Sequence, residues 1–146
     1  MKVTGIDLSS GMVRRARELN PGIEFRQGDM RSLDVKNESL AGSVAFYSII
    51  HIAPASLAAA FGELHRVLVH DAPLLLAFHI GNESIHLGEW WGHQIAVDFV
   101  FFDPEAVKTT LQESGFRIAE ALEREPYPGV EHQSRRAYIL AEASGS

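Results

Sequence analysis

Three positions early in the chain pair a short apolar run with a residue that can do chemistry. Asp7 follows "KVTGI", Asp29 follows "IEFRQG", and Tyr47 and Ser48 follow "SVAF", with His51 shortly after. A carboxylate fixed at a strand end can accept hydrogen bonds from both hydroxyls of a ribose, because α/β sheets place ligands at strand carboxyl ends. The plainer reading of Asp7 is a helix cap or a solvated turn residue. Asp29, after Gly28, can accept from the amino group of a purine while the Met30 amide donates to the ring; a turn aspartate after glycine is an equally ordinary reading. Imidazole titrates near neutral pH, which suits His51 to act as a general base or to orient a substrate. A surface-loop histidine is the plainer alternative.

A second concentration lies in "FHIGNESIHLGEWWGHQ", which holds His79, Glu83, His86, Glu89, Trp90, Trp91 and His93. Paired tryptophans offer apolar and cation-binding faces, and the histidines add polar handles, so residues 81–102 read as an insertion serving as a substrate lid. His79, His86 and His93 with a carboxylate also suit zinc or iron by donor type. Their spacings match no metal motif, and no metal is expected. The third reading is a surface loop whose tryptophans bury against the sheet. Arg124, Glu125, Tyr127, Glu131, His132 and Arg135 cluster around a later loop as weaker candidates. His65 and His70 read as helix-face and helix-end residues.

The elements that must hold these residues are short apolar runs alternating with amphipathic stretches, the pattern of a mostly parallel α/β sheet. "KVTGID" reads as the first strand. Ser9 or Ser10 caps the next helix, on which Met12, Val13, Ala16 and Leu19 share a face, and Asn20-Pro21-Gly22 ends it. "IEFRQGDM" and "SVAFYSII" read as strands joined by a polar, loop-like crossover. Pro54 opens a helix with a stripe of Leu57, Phe61, Leu64 and Leu68. "PLLLAFHI" is a fourth strand, and Asp103-Pro104-Glu105 starts a helix that Gly115 ends. "FRIAEALERE" and "RRAYILAEA" read as two final strands whose short connection allows an antiparallel pair.

The length of 146 residues suits one domain. Thirteen Lys and Arg against 19 Asp and Glu give a formal net charge of -6, which argues against a nucleic-acid or membrane-surface partner. The chain has no cysteine, so disulfides, thiolate zinc sites and cysteine nucleophiles are excluded. With no signal-like start and no bilayer-length apolar run, a cytoplasmic protein is the expectation.

Taken in order, these parts resemble a class I S-adenosylmethionine-dependent methyltransferase, from residue 3 to about residue 141. "GIDLSSGMVRRAR" resembles that family's second strand, its acidic end and the next helix. "FRQGDM" resembles the third strand and its adenine-side turn. "SVAFYSIIHI" resembles the fourth strand and the loop beside the methionine part of the cofactor. "LHRVLVHDAPLLLAFH" resembles the helix and fifth strand, with His70-Asp71-Ala72-Pro73 where the family usually has a proline-glycine turn. The resemblance implies S-adenosylmethionine as cofactor and a Rossmann-like sheet with an antiparallel final strand. It implies cofactor roles for Asp7 on the ribose, Leu8 and Met12 near the adenine, Asp29 and Met30 on its edge, and Tyr47 and Ser48 beside the sulfonium. His51 becomes the candidate base, and His79, His86, Trp90 and Trp91 the candidate contacts to a small-molecule acceptor.

One part of the family pattern has no counterpart. The family's first strand and glycine-rich loop precede the position of residue 3, and that strand lies centrally in the sheet. Unpaired buried amides and carbonyls cost on the order of 1–3 kcal/mol each. The reading therefore expects a domain truncated at its N-terminus, closed in one of three ways: the first strand pairs with the one beginning at Val44, a second copy completes the sheet as a homodimer, or the natural chain starts upstream. It leaves two rivals to an active methyltransferase. One is a truncated, non-catalytic binding or dimerisation module; the other is a nicotinamide-dependent oxidoreductase, which the "GDM" turn and "FYSIIH" fit less well.

Overall fold

The alternating pattern folds as an α/β structure, which a computed structural model describes over residues 2–82, 84–90, 93–131 and 133–144, with backbone alone for 84–90 and 93–98. Strand β1 (Thr4–Asp7) leads into helix α1 (Ser10–Leu19), and β2 (Glu24–Gln27) returns parallel to β1, setting Asp7 beside Gln27. Ser9 is the cap, its hydroxyl accepting the Met12 N–H at 3.3 Å. Gly5 admits the Phe25 ring against the backbone, where a Cβ would stand 2.4 Å from a ring carbon. The expected apolar stripe of α1 is only partly inward. Val13 is buried, but Met12 and Leu19 are 61% and 62% exposed. Helix α1 packs chiefly on β1 and β2, and two strands are too narrow to cover the whole stripe.

The crossover over residues 28–42 carries no helix, as its polar sequence implies. It is tied to α2 (Leu57–Val67) by side chains. Arg66 donates to the carbonyls of Leu33 and Val35, each at 2.8 Å, and pairs with Glu63, which accepts the Leu33 N–H at 2.8 Å. Strand β3 (Ser43–Phe46) is shorter than its apolar run, because Ile49 and Ile50 leave the sheet to anchor a buried 3₁₀ turn, Ile49–His51. Pro54 opens a further turn into α2, whose Leu57, Phe61 and Leu64 are buried along with Leu68 beyond its end.

Strand β4 (Pro73–His79) runs parallel to β3. Residues 81–102 contain a hairpin rather than a loop: β5 (Ser84–Trp90) pairs antiparallel with β6 (His93–Val100). The hairpin satisfies its backbone by pairing with itself, and its base is fixed where Phe102 N–H donates to the His79 carbonyl at 2.9 Å. Asp103 caps α3 (Pro104–Glu113), with Pro104 in its first turn. Gly115 ends it at φ 99°, in the left-handed region that favours glycine. Strand β7 (Phe116–Arg124) and β8 (Arg136–Ala143) are antiparallel to each other, and β8 is antiparallel to β4.

The strands form a four-stranded sheet in the order β3-β4-β8-β7, a separate β1-β2 pair and the β5-β6 hairpin. Direct closure between β1 and β3 does not occur. Bonds from residues 38–40 to the end of α2 fix where the chain enters β3, and β3 then takes β4 as its neighbour. Among the described residues, β1 and β3 each keep one edge without a strand partner. Helices α2 and α3 contribute Phe61, Leu64, Val107 and Leu111 to a core with Ala45, Leu74, Leu76, Phe78 and Ile139 of the sheet. On the opposite face Phe46, Ala77, Tyr138 and Leu122 lie in register across four strands, and Phe46 and Leu122 are exposed.

Candidate functional site

Asp7, Asp29 and the Tyr47-Ser48 pair stand at or just beyond the carboxyl ends of β1 and β2 in the small sheet and of β3 in the larger one, and strand carboxyl ends are where α/β sheets present their ligands. Asp7 is exposed and is engaged on one oxygen, Oδ1, which accepts the Ser9 N–H at 2.8 Å. That bond makes it a turn residue, and Oδ2 stays available as an acceptor. Leu8 and Met12 are also exposed. Asp7 and Met12 line one open hollow of about 170 Å³ with Gly5, Val13 and Phe25.

Asp29 is in a different state. Its two oxygens accept from Arg31, with Nη2 at 2.6 Å from Oδ2 and the backbone N–H at 2.9 Å from Oδ1. The Arg31 side-chain hydrogen bonds are the largest cause holding its carboxyl below the ordinary aspartate value. Another donor to Asp29 must displace part of that clamp. Met30 is half-buried and packs against the main core.

Tyr47 holds φ at 55°, a left-handed conformation uncommon for a bulky side chain. Strain of this kind costs on the order of 1–3 kcal/mol and persists where surrounding contacts hold it. Here the Tyr47 N–H donates to the Ala77 carbonyl at 2.8 Å, and the phenol oxygen lies 3.1 Å from that of Tyr138. The Ser48 hydroxyl donates to the Phe46 carbonyl at 3.4 Å. His51 is exposed on the 3₁₀ turn, its ring 5.2 Å from that of Phe99 at the base of the hairpin.

His79 stands at the end of β4 with its Nδ1 2.8 Å from the Ser134 hydroxyl. Its ring lies between those of Tyr47 and Phe101, at 5.1 and 5.5 Å. The side chains of His86, Trp90 and His93, and all of Trp91, Glu83 and His132, lie outside the described residues. Among the described residues no cluster of three histidines, acids or cysteines could hold a metal ion.

The candidates therefore gather into two groups. Asp7 and Met12 share the β1 hollow, with Leu8 next to Asp7 in sequence but not in its lining, and Tyr47 and His79 share the carboxyl end of the four-stranded sheet. The hollow is not lined by Tyr47, Ser48 or His51. Around Tyr47 stand residues that the sequence did not single out. Tyr138 and Arg136 of β8 both reach the Tyr47 phenol, and Arg124 and Glu131, weaker candidates in sequence, complete the arrangement. Arg31 was also unmarked. Only the sheet register brings these residues together, and no local spacing carries it.

Residues 1–71 match the family model of a methyltransferase domain. The chain's fold is shared with a S-adenosylmethionine-dependent methyltransferase from Methanosarcina mazei, at TM-score 0.86 and 18% identity, covering 99% of this chain and 83% of that one. A S-adenosylmethionine-dependent methyltransferase from Clostridium acetobutylicum is similar at TM-score 0.76 and 13% identity, over 99% of this chain and 76% of that one. The [4+2]-cyclase SpnF is similar too, at TM-score 0.72 and 16% identity, over 100% of this chain and 67% of that one. No protein of curated function matches the sequence significantly. No helix among the described residues is long and apolar enough to cross a membrane.

Proposed function

We propose that this chain, whose fold is shared with S-adenosylmethionine-dependent methyltransferases and whose first 71 residues match a methyltransferase-domain model, binds S-adenosylmethionine and transfers its methyl group to a small-molecule acceptor. The observation that carries the reading is the set of groups at three strand ends, those of β1 and β2, which pair in parallel, and that of β3 in the larger sheet. Asp7 closes β1 with a free carboxylate oxygen, Gly28-Asp29 closes β2, and a strained Tyr47 closes β3. In this reading Asp7 accepts from the ribose hydroxyls, and the exposed Leu8 and Met12 flank the adenine. Asp29 receives the adenine amino group once Arg31 yields a hydrogen bond.

A methyl group on a sulfonium is already activated, so the demand on the protein is alignment of the acceptor. A base is needed only for an acceptor that must lose a proton, and His51 is the exposed imidazole for that role. The net charge of -6 favours a small acceptor over a nucleic acid. Because the fold is also that of a [4+2]-cyclase, fold alone does not decide the reaction.

The test is incubation with methyl-labelled S-adenosylmethionine and a panel of small acids, phenols and amines, followed by analysis of the label. Label in a panel compound supports the reading. A second reading, a non-catalytic binding module, is favoured by the open edges of β1 and β3 and by the exposed Val44 and Phe46. Cofactor binding with no labelled product, together with self-association in sedimentation, would select it.

A further inference from the structure

At the carboxyl end of the four-stranded sheet, five side chains close a ring. Glu131 pairs with Arg124 at 2.7 Å and with Arg136 at 3.2 Å. Arg124 Nε donates to the Tyr138 phenol oxygen at 3.2 Å, and Arg136 Nη1 donates to that of Tyr47 at 3.3 Å. The two phenol oxygens lie 3.1 Å apart and close the ring.

A proton count shows what this ring offers. Each phenol has one O–H and already accepts one guanidinium N–H. Two phenols carry two protons, and the bond between them uses one. The other has no acceptor among the described residues. It belongs to a half-buried pair at the ligand end of the sheet. Burial, the largest cause, pushes the Tyr47 phenol above its ordinary value, so Tyr47 keeps its proton at neutral pH and can act as a donor. The charged groups of the ring are two guanidiniums and one carboxylate; the neighbouring Arg135 is paired with Glu123 and Glu125. A spare O–H is a donor, so it suits an acceptor such as a carboxylate better than an ammonium, which only donates. The rings of Tyr47, His79 and Phe101, tilted by 32° and 37° from one to the next, form an aromatic row that a flat partner can pack against.

We propose that the Tyr47–Tyr138 pair anchors the methyl acceptor by donating its spare phenolic proton to a carboxylate oxygen of a planar, aromatic or conjugated acid. The proposal rests on the methyl-transfer reading, and it names the acceptor class.

Benzoate and benzylamine serve as probes, titrated into the full chain with and without S-adenosylhomocysteine. Benzoate is expected to bind at least tenfold more tightly than benzylamine. Tyr47→Phe, Tyr138→Phe and the double variant then separate donor from scaffold. Either single variant keeps one phenolic proton and is expected to hold benzoate within a few-fold of the parent. The double variant keeps none and is expected to lose about tenfold or more. A purely structural bond between the phenols gives the opposite pattern, with each single variant losing as much as the double. The phenylalanine replacements keep both rings, and near-ultraviolet circular dichroism reports folding. Should the double variant unfold, the benzoate and benzylamine comparison on the parent still decides. No benzoate binding at millimolar concentration, equal binding of the two probes, or an unaffected folded double variant overturns the proposal. Absence of S-adenosylhomocysteine binding overturns the cofactor reading instead.

Discussion

Asp7 and Asp29 show how two similar residues at similar strand ends reach different states. Asp7 receives one local N–H and keeps an oxygen open, whereas Asp29 is clamped by Arg31. The account therefore leans on Asp7 for the cofactor. Asp7→Ala is expected to weaken S-adenosylmethionine binding by roughly 1–3 kcal/mol in calorimetric titration, through loss of a charged acceptor; unchanged affinity would remove Asp7 from the site. Glu131 carries a pH prediction. Hydrogen bonds from Arg124 hold its carboxyl down from 4.5 to about 2. A depressed folded-state value contributes stability above the unfolded-state value, and that contribution is lost as pH falls toward the folded one. Between about pH 4.5 and 2 the parent is expected to lose melting temperature more steeply than Glu131→Gln; parallel acid profiles would show that Arg124 does not hold Glu131 this way. Asp7, Tyr47 and His79 were legible as candidates because each ends an apolar run. Tyr138 was not, because its link to Tyr47 depends on strand register 91 residues away.

At the scale of elements, legibility followed how completely an element is buried. The stripe of α2 reads directly from its spacing, and Phe61 is fully buried in the core it builds. Phe61→Ala is expected to cost about 3–5 kcal/mol by urea denaturation, the range for a large core truncation. A loss below 1 kcal/mol would mean that α2 is not seated as described. The stripe of α1 is also helically spaced but has only a two-stranded sheet beneath it, so periodicity overstated its burial. The β5-β6 hairpin escaped the sequence reading for another reason. Ile95, Val97 and Phe99 do alternate along β6, but the alternation of β5 breaks at Gly88-Glu89, where the register shifts, and the strands are set by mutual pairing and by the Phe102 bond to His79.

For the whole molecule, the division of the sheet dominates. The β1–α1–β2 unit contributes Val13 alone to the buried apolar residues, and the β3-β4-β8-β7 sheet contributes most of the core. Local stability tracks buried apolar contact. Amides of residues 4–27 are expected to exchange with deuterium well before those of residues 74–78; equal protection would mean that the small unit is stabilised by something else. The sequence carried the order of the elements along the chain, apart from the β5-β6 hairpin. It did not carry the outcome at β1 and β3, because partner choice there depends on bonds from the crossover to α2.

The central claim is that these strand ends still form a cofactor site. Isothermal titration of the 146-residue chain with S-adenosylmethionine and with S-adenosylhomocysteine tests it most directly. The account predicts saturable micromolar binding of both, weakened by Asp7→Ala. Absence of binding to either compound by the folded chain would contradict it.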